Sequence, residues 1–196
     1  MKSIKVGITG GIGSGKSFVA KIFKTLDIPF YDADREAKEL MHSHQDIRES
    51  LIKAFSPQIY TDLGVLDRGY LANKVFNDKA QLTLLNSIVH PIVIAHGMEW
   101  ANAQTSAYSL KEAALLFESG SFKMLDFTIV VTAPEKLRLE RVIERDGVTA
   151  EEVYRRMANQ MPEQDKVNMA DFVITNDESQ PLLPQIIKIH EILLQK

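Results

Sequence analysis

The sequence contains no cysteine among its 196 residues. Disulfides, thiolate metal sites and a cysteine nucleophile are therefore excluded, and the composition fits a reducing, cytoplasmic setting. Positive charge is not in excess either, because 23 lysines and arginines are outnumbered by 26 aspartates and glutamates, for a net charge of −3. Proteins that bind nucleic acids usually carry a basic excess. We therefore expect no nucleic-acid partner.

Long hydrophobic runs are also missing. The apolar residues at the start of the chain stop at Ile12 and are crowded with glycines, which is too short and too broken for a signal peptide. No run approaches the roughly 20 apolar residues that span a bilayer. The length suits one α/β domain, so we expect a single soluble cytoplasmic domain without a membrane partner.

Five short apolar segments are predicted to be strands. They are residues 4–9, 28–31, 113–117, 127–131 and 172–175. Segments with helical spacing of apolar residues lie between them. Strands that alternate with helices predict an α/β fold, in which a mostly parallel sheet is covered on both faces.

The predicted helices have one long cluster in the middle of the chain. Residues 34–104 are mostly helical in pattern, with a turn-rich break at 57–64, and we expect Pro91 to interrupt the last helix of this region. Further helices are predicted near 15–26, from Pro134 to Gly147 and at 182–194.

A glycine-rich loop follows the first predicted strand and precedes the first predicted helix. Its residues match the phosphate-loop pattern of glycine, four residues, then Gly-Lys-Ser/Thr: Gly10, Gly11, Ile12, Gly13, Ser14, Gly15, Lys16 and Ser17. A glycine-rich turn with an unrelated lysine is the alternative, but both flanking elements argue against it.

Each part of this loop has a predicted role in binding ATP and Mg²⁺. Backbone N–H groups and the helix N-terminus would hold the phosphates. Lys16 would bridge the β- and γ-phosphates, and the Ser17 hydroxyl would hold Mg²⁺. The N–H of Phe18 should lie near the α-phosphate.

Two aspartates follow the second predicted strand, at the sheet edge where ligands bind in such folds. Asp34 is the candidate general base for a hydroxyl acceptor, and Asp32 is a supporting residue. Either could instead cap a helix that begins near Arg35. For Asp34 this alternative is weaker, because Ala37 occupies the position where a capping box has Glu or Gln.

Three arginines share one face of the helix after Pro134, namely Arg138, Arg141 and Arg145. Arg141 and Arg145 are candidates for stabilising the transferred phosphoryl group. For Arg138 we favour an exposed position with ordinary ion pairs. The polar segment that follows is predicted to be a mobile lid over ATP.

The fourth predicted strand ends in Thr132 and not in a carboxylate. A motor-type ATPase would place a metal-holding acid there, so this class is disfavoured.

Other motifs occur in an order and spacing that span nearly the whole chain. They are Asp32-Ala33-Asp34, Leu66-Asp67-Arg68, His90-Pro91, Leu115-Leu116-Phe117-Glu118, Arg145-Asp146-Gly147, Gln160-Met161-Pro162 and Ile174-Thr175-Asn176. Together with the extended phosphate loop, they resemble the dephospho-coenzyme A kinase family. The departures are Phe18 where the family usually has Thr, Gly69 where a second basic residue is frequent, and Ala114 where Pro is common.

The resemblance implies a P-loop NTPase fold of nucleoside-monophosphate-kinase type, with a five-stranded parallel sheet flanked by helices. Its core would be residues 1–35, 106–140 and 170–196, with a helical acceptor-binding region at about 36–105 and a helical lid at about 141–169. It also implies that ATP, with Mg²⁺, phosphorylates the ribose 3′-hydroxyl of dephospho-CoA to give CoA and ADP.

The resemblance assigns roles to individual residues as well. Asp34 falls on the catalytic base, and Lys16 with Arg141 on phosphate-stabilising positions, with Arg145 nearby. Asn176 would lie near the adenine of ATP. Asp32, Arg68 and His90 are candidate acceptor contacts, although His90 could equally be a buried turn histidine.

Two other functions stay open at this point. Another P-loop small-molecule or nucleoside-monophosphate kinase would share Lys16, Asp34 and a lid. A nucleotide-dependent switch is a different class, against which the carboxylate pair and the arginines argue. We expect a monomer or a weak homo-oligomer.

Overall fold

The computed structural model describes residues 3–75 and 78–196. Within them, five strands form one sheet: β1 (Ile4–Thr9), β2 (Phe30–Asp32), β3 (Tyr108–Glu112), β4 (Phe127–Thr132) and β5 (Phe172–Thr175). The strand order is β2-β3-β1-β4-β5, and every pairing is parallel. The predicted five-stranded parallel sheet flanked by helices is confirmed.

The helices fill the connections between these strands. They are α1 (Lys16–Thr25), α2 (Ala33–Ser43), α3 (Gln45–Phe55), α4 (Arg68–Val75), α5 (Lys79–Asn102), α6 (Glu135–Asp146), α7 (Ala150–Ala158), α8 (Glu163–Met169) and α9 (Leu182–Leu194). Short 3-10 turns occur at Pro57–Ile59 and Ser121–Met124. None of the helices in the described ranges combines the length and apolar character needed to cross a membrane.

The chain divides into two compact units. One contains the residues up to Asp32 together with Trp100–Lys196, and the other contains Ala33–Glu99. The first unit therefore carries the whole sheet, the phosphate loop and α6 to α9.

The core of the first unit lies between the sheet and two helices. Alternate strand residues such as Val6 and Ile8 are buried against α1 and α9, where Phe23 and Ile186 are fully buried. Alternate residues of a strand point to the same face of the sheet, and residues spaced by about 3.6 positions share one face of a helix. The packing fixes the strand ends, so that Thr9, Asp32, Glu112, Thr132 and Thr175 end their strands at one edge of the sheet.

The third strand lies earlier in the chain than the apolar pattern predicted. Residues 114–117 lie in consecutive turns, Ala113 is outside any strand, and β3 is Tyr108–Glu112. The prediction failed because β3 sits between β1 and β2 and is buried along its whole length, including Lys111 and Glu112. The apolar run that follows is used for packing instead, since Leu116 and Phe117 are buried within turns. The second strand is shifted as well, from the predicted 28–31 to Phe30–Asp32.

The second unit is helical, as the sequence indicated, and contains α2, α3, α4 and α5 as far as Glu99. Its interior includes Ile47, Leu51 and Ile59. Pro91 does not interrupt α5, contrary to expectation. Pro91 has no N–H, so the Ser87 carbonyl lacks its usual helical hydrogen-bond donor. Pro91 and Ser87 are both exposed, and water can donate to that carbonyl instead.

Candidate active site

The phosphate loop connects the end of β1 to the start of α1. Gly13 and Gly15 have φ values of 81° and 88°, a left-handed conformation that side chains with a Cβ rarely adopt. Added atoms would also overlap the Arg138 carbonyl oxygen at Gly13 and the Asn176 amide at Gly15. The glycines of the motif are thus required by both backbone conformation and close packing.

A cavity of about 470 Å³ opens over this loop. It is lined by the loop and by arginines of α6 and α7, with these residues: Gly10, Gly11, Ile12, Gly13, Gly15, Lys16, Ser17, Phe18, Ala114, Arg141, Arg145, Arg156 and Gln160. Ser14 is fully buried beneath it. The cavity therefore collects cationic side chains around the phosphate loop and the N-terminus of α1, as an anion site requires.

Glu112 is a candidate site residue that the sequence did not indicate. Its carboxylate lies 2.7 Å from the Lys16 Nζ, and the same oxygen accepts a hydrogen bond from the Ser17 hydroxyl. Glu112 is only 5% exposed and lies opposite Ile8 in the ladder of β1 and Asp32 in that of β2. Correct placement of β3 would have found it, because an acid at the end of a central parallel strand borders the ligand crevice.

The hydroxyl of Ser17 and the carboxylate of Glu112 are hard oxygen donors that fit Mg²⁺. No group of three or more His, Cys, Asp or Glu side chains in the described ranges is arranged to hold a metal by itself. That pattern suits Mg²⁺, which usually keeps several waters and takes one or two protein ligands plus substrate phosphates.

Arg141 of α6 is connected to the phosphate loop through Asn176. The Arg141 guanidinium donates to the Asn176 carbonyl oxygen over 3.2 Å and to the Glu178 carboxylate over 3.0 Å. The Asn176 side-chain amide in turn donates to the Ser14 carbonyl oxygen over 2.8 Å. Two residues that the sequence placed in the site, Arg141 and Asn176, are therefore brought together beside the loop.

Asp146 holds two arginines at the cavity wall. Arg145 donates to both of its carboxylate oxygens, over 2.7 and 3.0 Å, and Arg156 donates to one of them over 2.9 Å. The hydrogen bond from Arg145, reinforced by Arg156, lowers the pKa of Asp146, which stays ionised. The paired guanidinium groups are thereby oriented as one cationic surface.

Arg138 does not occupy an exposed face as expected. It is 7% exposed and lies 3.4 Å from the Glu163 carboxylate, at the start of α8. The prediction was wrong because this partner lies 25 residues further along the chain, and helical spacing within α6 carries no information about it. Arg138 also packs against the phosphate loop at Gly11 and Gly13.

The junction between α7 and α8 is bound to the rest of the first unit by polar contacts. Gln160 Oε1 accepts the Ile12 N–H over 2.9 Å, and the Met161 N–H donates to Glu118 over 2.8 Å. Glu118 also lies 3.3 Å from Lys166 Nζ, whose side chain is fully buried. The start of α7 has a capping box formed by Thr149 and Glu152.

Replacing Glu118 with glutamine should lower the free energy of unfolding by about 3 kcal/mol, because the fully buried ammonium group of Lys166 would lose its counter-charge. Urea unfolding measures the change. Glu140→Gln is the matched control, since Glu140 is 58% exposed and its contact with Lys136 is 3.9 Å; it should cost less than about 0.5 kcal/mol. Equal losses in the two variants would show that the burial of Lys166 is not what matters.

Asp34, Arg68 and His90 belong to the second unit, whereas Asp32 is the last residue before it. Asp34 is the second residue of α2, so it does not occupy the cap position considered for it, whereas Asp32 directly precedes that helix. Arg68 is the first residue of α4 and is exposed, and His90 lies within α5, not in a turn.

A phosphate loop between β1 and α1 of a parallel sheet ordered β2-β3-β1-β4-β5, with arginines facing the loop, defines a P-loop kinase. The family model described as dephospho-CoA kinase matches residues 4–181. The chain therefore belongs to the dephospho-CoA kinase family.

Individual relatives agree with this assignment. A dephospho-CoA kinase from Porphyromonas gingivalis is 39% identical over 98% of this chain and 96% of its own length. One from Bacteroides fragilis is 35% identical over 99% of this chain and 95% of its own. A crystal structure of a protein from Thermus thermophilus aligns with a TM-score of 0.82 and 35% identity, covering 100% of this chain and 98% of that one.

Proposed function

We propose that this protein transfers the γ-phosphoryl group of ATP to the ribose 3′-hydroxyl of dephospho-CoA, giving CoA and ADP in the last step of coenzyme A synthesis. The observation that carries the proposal is the phosphate-loop cavity, which is lined by Lys16, Ser17 and three arginines. The Glu112 carboxylate contacts both Lys16 and Ser17. Family membership supplies the acceptor.

ATP would bind with its triphosphate along the loop. The N–H groups from Gly13 to Phe18 surround the phosphates, Lys16 neutralises the β- and γ-phosphates, and Asn176 lies on the side of the adenine. Mg²⁺ would be held by the Ser17 hydroxyl and by the phosphates. Glu112 would hold it either directly or through a water molecule. A metal bound there would neutralise part of the negative charge that develops during transfer.

The arginines would act on the transferred group. Phosphoryl transfer spreads negative charge over the equatorial oxygens, and bidentate guanidinium groups stabilise it where water is excluded. Arg141 and Arg145 are the proposed catalytic arginines, and Arg156 joins them through Asp146. Residues 141–169 are the proposed lid.

Asp34 is the proposed general base, which would accept the proton of the 3′-hydroxyl as it attacks. Its place two residues after Asp32, at the carboxyl end of β2, supports this role. The helical region at about 36–105 is proposed to bind dephospho-CoA, with Asp32, Arg68 and His90 as candidate contacts. A cytoplasmic location and a monomeric or weakly associated state stay predictions.

Incubation of the pure protein with Mg-ATP and a panel of acceptors tests the proposal. The panel contains dephospho-CoA, adenosine, nucleoside monophosphates and shikimate. We expect rapid ADP release with dephospho-CoA alone, and a product that is heavier by one phosphate. Comparable ADP release with a nucleoside monophosphate or with shikimate would instead place the protein among the other P-loop small-molecule kinases.

A further inference from the structure

The motif Gln160-Met161-Pro162 has no role in the chemistry described above, yet it touches the phosphate loop. Gln160 lies at the junction of α7 and α8, accepts the Ile12 N–H through Oε1 over 2.9 Å and lines the cavity. A side chain of the lid therefore holds a backbone donor of the loop that would otherwise need water or a ligand.

The backbone beside Gln160 is fixed from the opposite side. The Met161 N–H donates to Glu118 over 2.8 Å, and the same carboxylate faces the buried ammonium group of Lys166 at 3.3 Å. Because the next residue is held in this way, Gln160 meets Ile12 in a restricted geometry. Its contact differs in this respect from a hydrogen bond between two mobile surface groups.

The same junction determines where one of the cavity arginines lies. Helix α7 ends at Ala158, two residues before Gln160, and Arg156 in its last turn lines the cavity. Fixing Gln160 to Ile12 therefore holds the end of α7 over the loop, from which Arg156 reaches Asp146 of α6.

We propose that Gln160 is a positioning residue that orders the loop at Ile12 and sets the position of Arg156 before the triphosphate binds. The inference rests on the proposed use of ATP by this site. Without the bond, the nucleotide itself must order both the loop and the end of α7. If the hydrogen bond has ordinary net strength, its removal should lower nucleotide affinity by about three- to tenfold.

Turnover at saturating ATP should change less than affinity. Once the triphosphate is bound, several N–H groups of the loop and Lys16 hold it in place, so the bond from Gln160 contributes less there. We therefore expect kcat to fall by less than about threefold, with KM for dephospho-CoA unchanged.

Gln160→Met tests the proposal, because methionine has nearly the same length but no comparable acceptor. The matched control is Gln164→Met on α8, since Gln164 is exposed and its amide bonds to Asn168 over 3.0 Å. Calorimetry with ADP and with a non-hydrolysable ATP analogue gives nucleotide affinity without an acceptor. Steady-state kinetics gives both KM values, and amide exchange followed by NMR reports the Ile12 N–H.

The expected result is weaker nucleotide binding and faster Ile12 exchange in Gln160→Met, with neither change in Gln164→Met. Gln160→Glu, which keeps an acceptor oxygen, should restore slow Ile12 exchange in the nucleotide-free protein. Unchanged affinity in Gln160→Met overturns the proposal, and so does tighter binding, because Gln160 would then compete with the nucleotide. If the unmodified protein binds no adenine nucleotide, it is the proposed function that fails, and Ile12 exchange still decides whether the bond exists.

Discussion

Asp34→Asn should reduce turnover of dephospho-CoA by at least ~10²-fold, the usual scale for loss of a general base. The amide keeps the size of the side chain and one acceptor oxygen but cannot accept the hydroxyl proton at neutral pH. Affinity for ATP should stay near that of the unmodified protein, because the phosphate loop and its arginines are unchanged. Steady-state kcat and calorimetric nucleotide binding measure the two quantities.

Asp46→Asn provides a matched control for this experiment. Asp46 is the second residue of α3, just as Asp34 is the second residue of α2, and both side chains are exposed. Each carboxylate has a similar favourable interaction with the N-terminus of its helix, so the two substitutions should have similar effects on stability. If Asp34→Asn keeps turnover within a few fold of Asp46→Asn, Asp34 is not the base.

Elements with a strong local pattern could be predicted from the sequence. The bounds of β5 and α9 match the prediction residue for residue, because a short β-branched strand and a long apolar stripe are determined by their own residues. The phosphate loop was equally clear, since Gly13 and Gly15 must adopt a left-handed backbone between a strand and a helix.

Elements whose environment comes from distant parts of the chain could not be predicted. In β3, Lys111 and Glu112 are buried because β1 and β2 enclose the strand on both sides. The local sequence of β3 contains no pattern that indicates this burial. Burial lowers the pKa of Lys111. Arg138 is a similar case, because its buried position depends on Glu163 in another helix.

The misplacement of β3 also hid part of the candidate site. The sequence suggested Ser17 for the metal and Lys16 for the phosphates, but it did not reveal the carboxylate that contacts both. Glu112 connects these two functions, because one of its oxygens meets the ammonium group and the hydroxyl together. Replacement of Glu112 should therefore change metal dependence and phosphate binding at the same time.

Glu112→Gln should reduce kcat by about 10²-fold at a low Mg²⁺ concentration, the scale expected when one polar group that stabilises the transition state is lost. The glutamine oxygen can still accept from Ser17, but the negative charge that favours the metal is removed. Higher Mg²⁺ should recover part of the turnover, so the apparent KM for Mg²⁺ should rise. Initial rates over a matrix of Mg²⁺ and ATP concentrations separate the metal effect from the nucleotide effect.

Asp126→Asn is the control for neutralising a carboxylate in the same unit. Asp126 accepts the Lys5 N–H over 2.7 Å just before β4, at the opposite end of the strands from Glu112. Loss of the Asp126 charge should affect stability without changing Mg²⁺ dependence.

In the alternative, Glu112 merely holds Lys16 until ATP displaces it. Glu112→Gln would then bind ATP more tightly, because Lys16 would be released for the phosphates, and its Mg²⁺ dependence would match that of Asp126→Asn. That pair of results would remove Glu112 from the metal site.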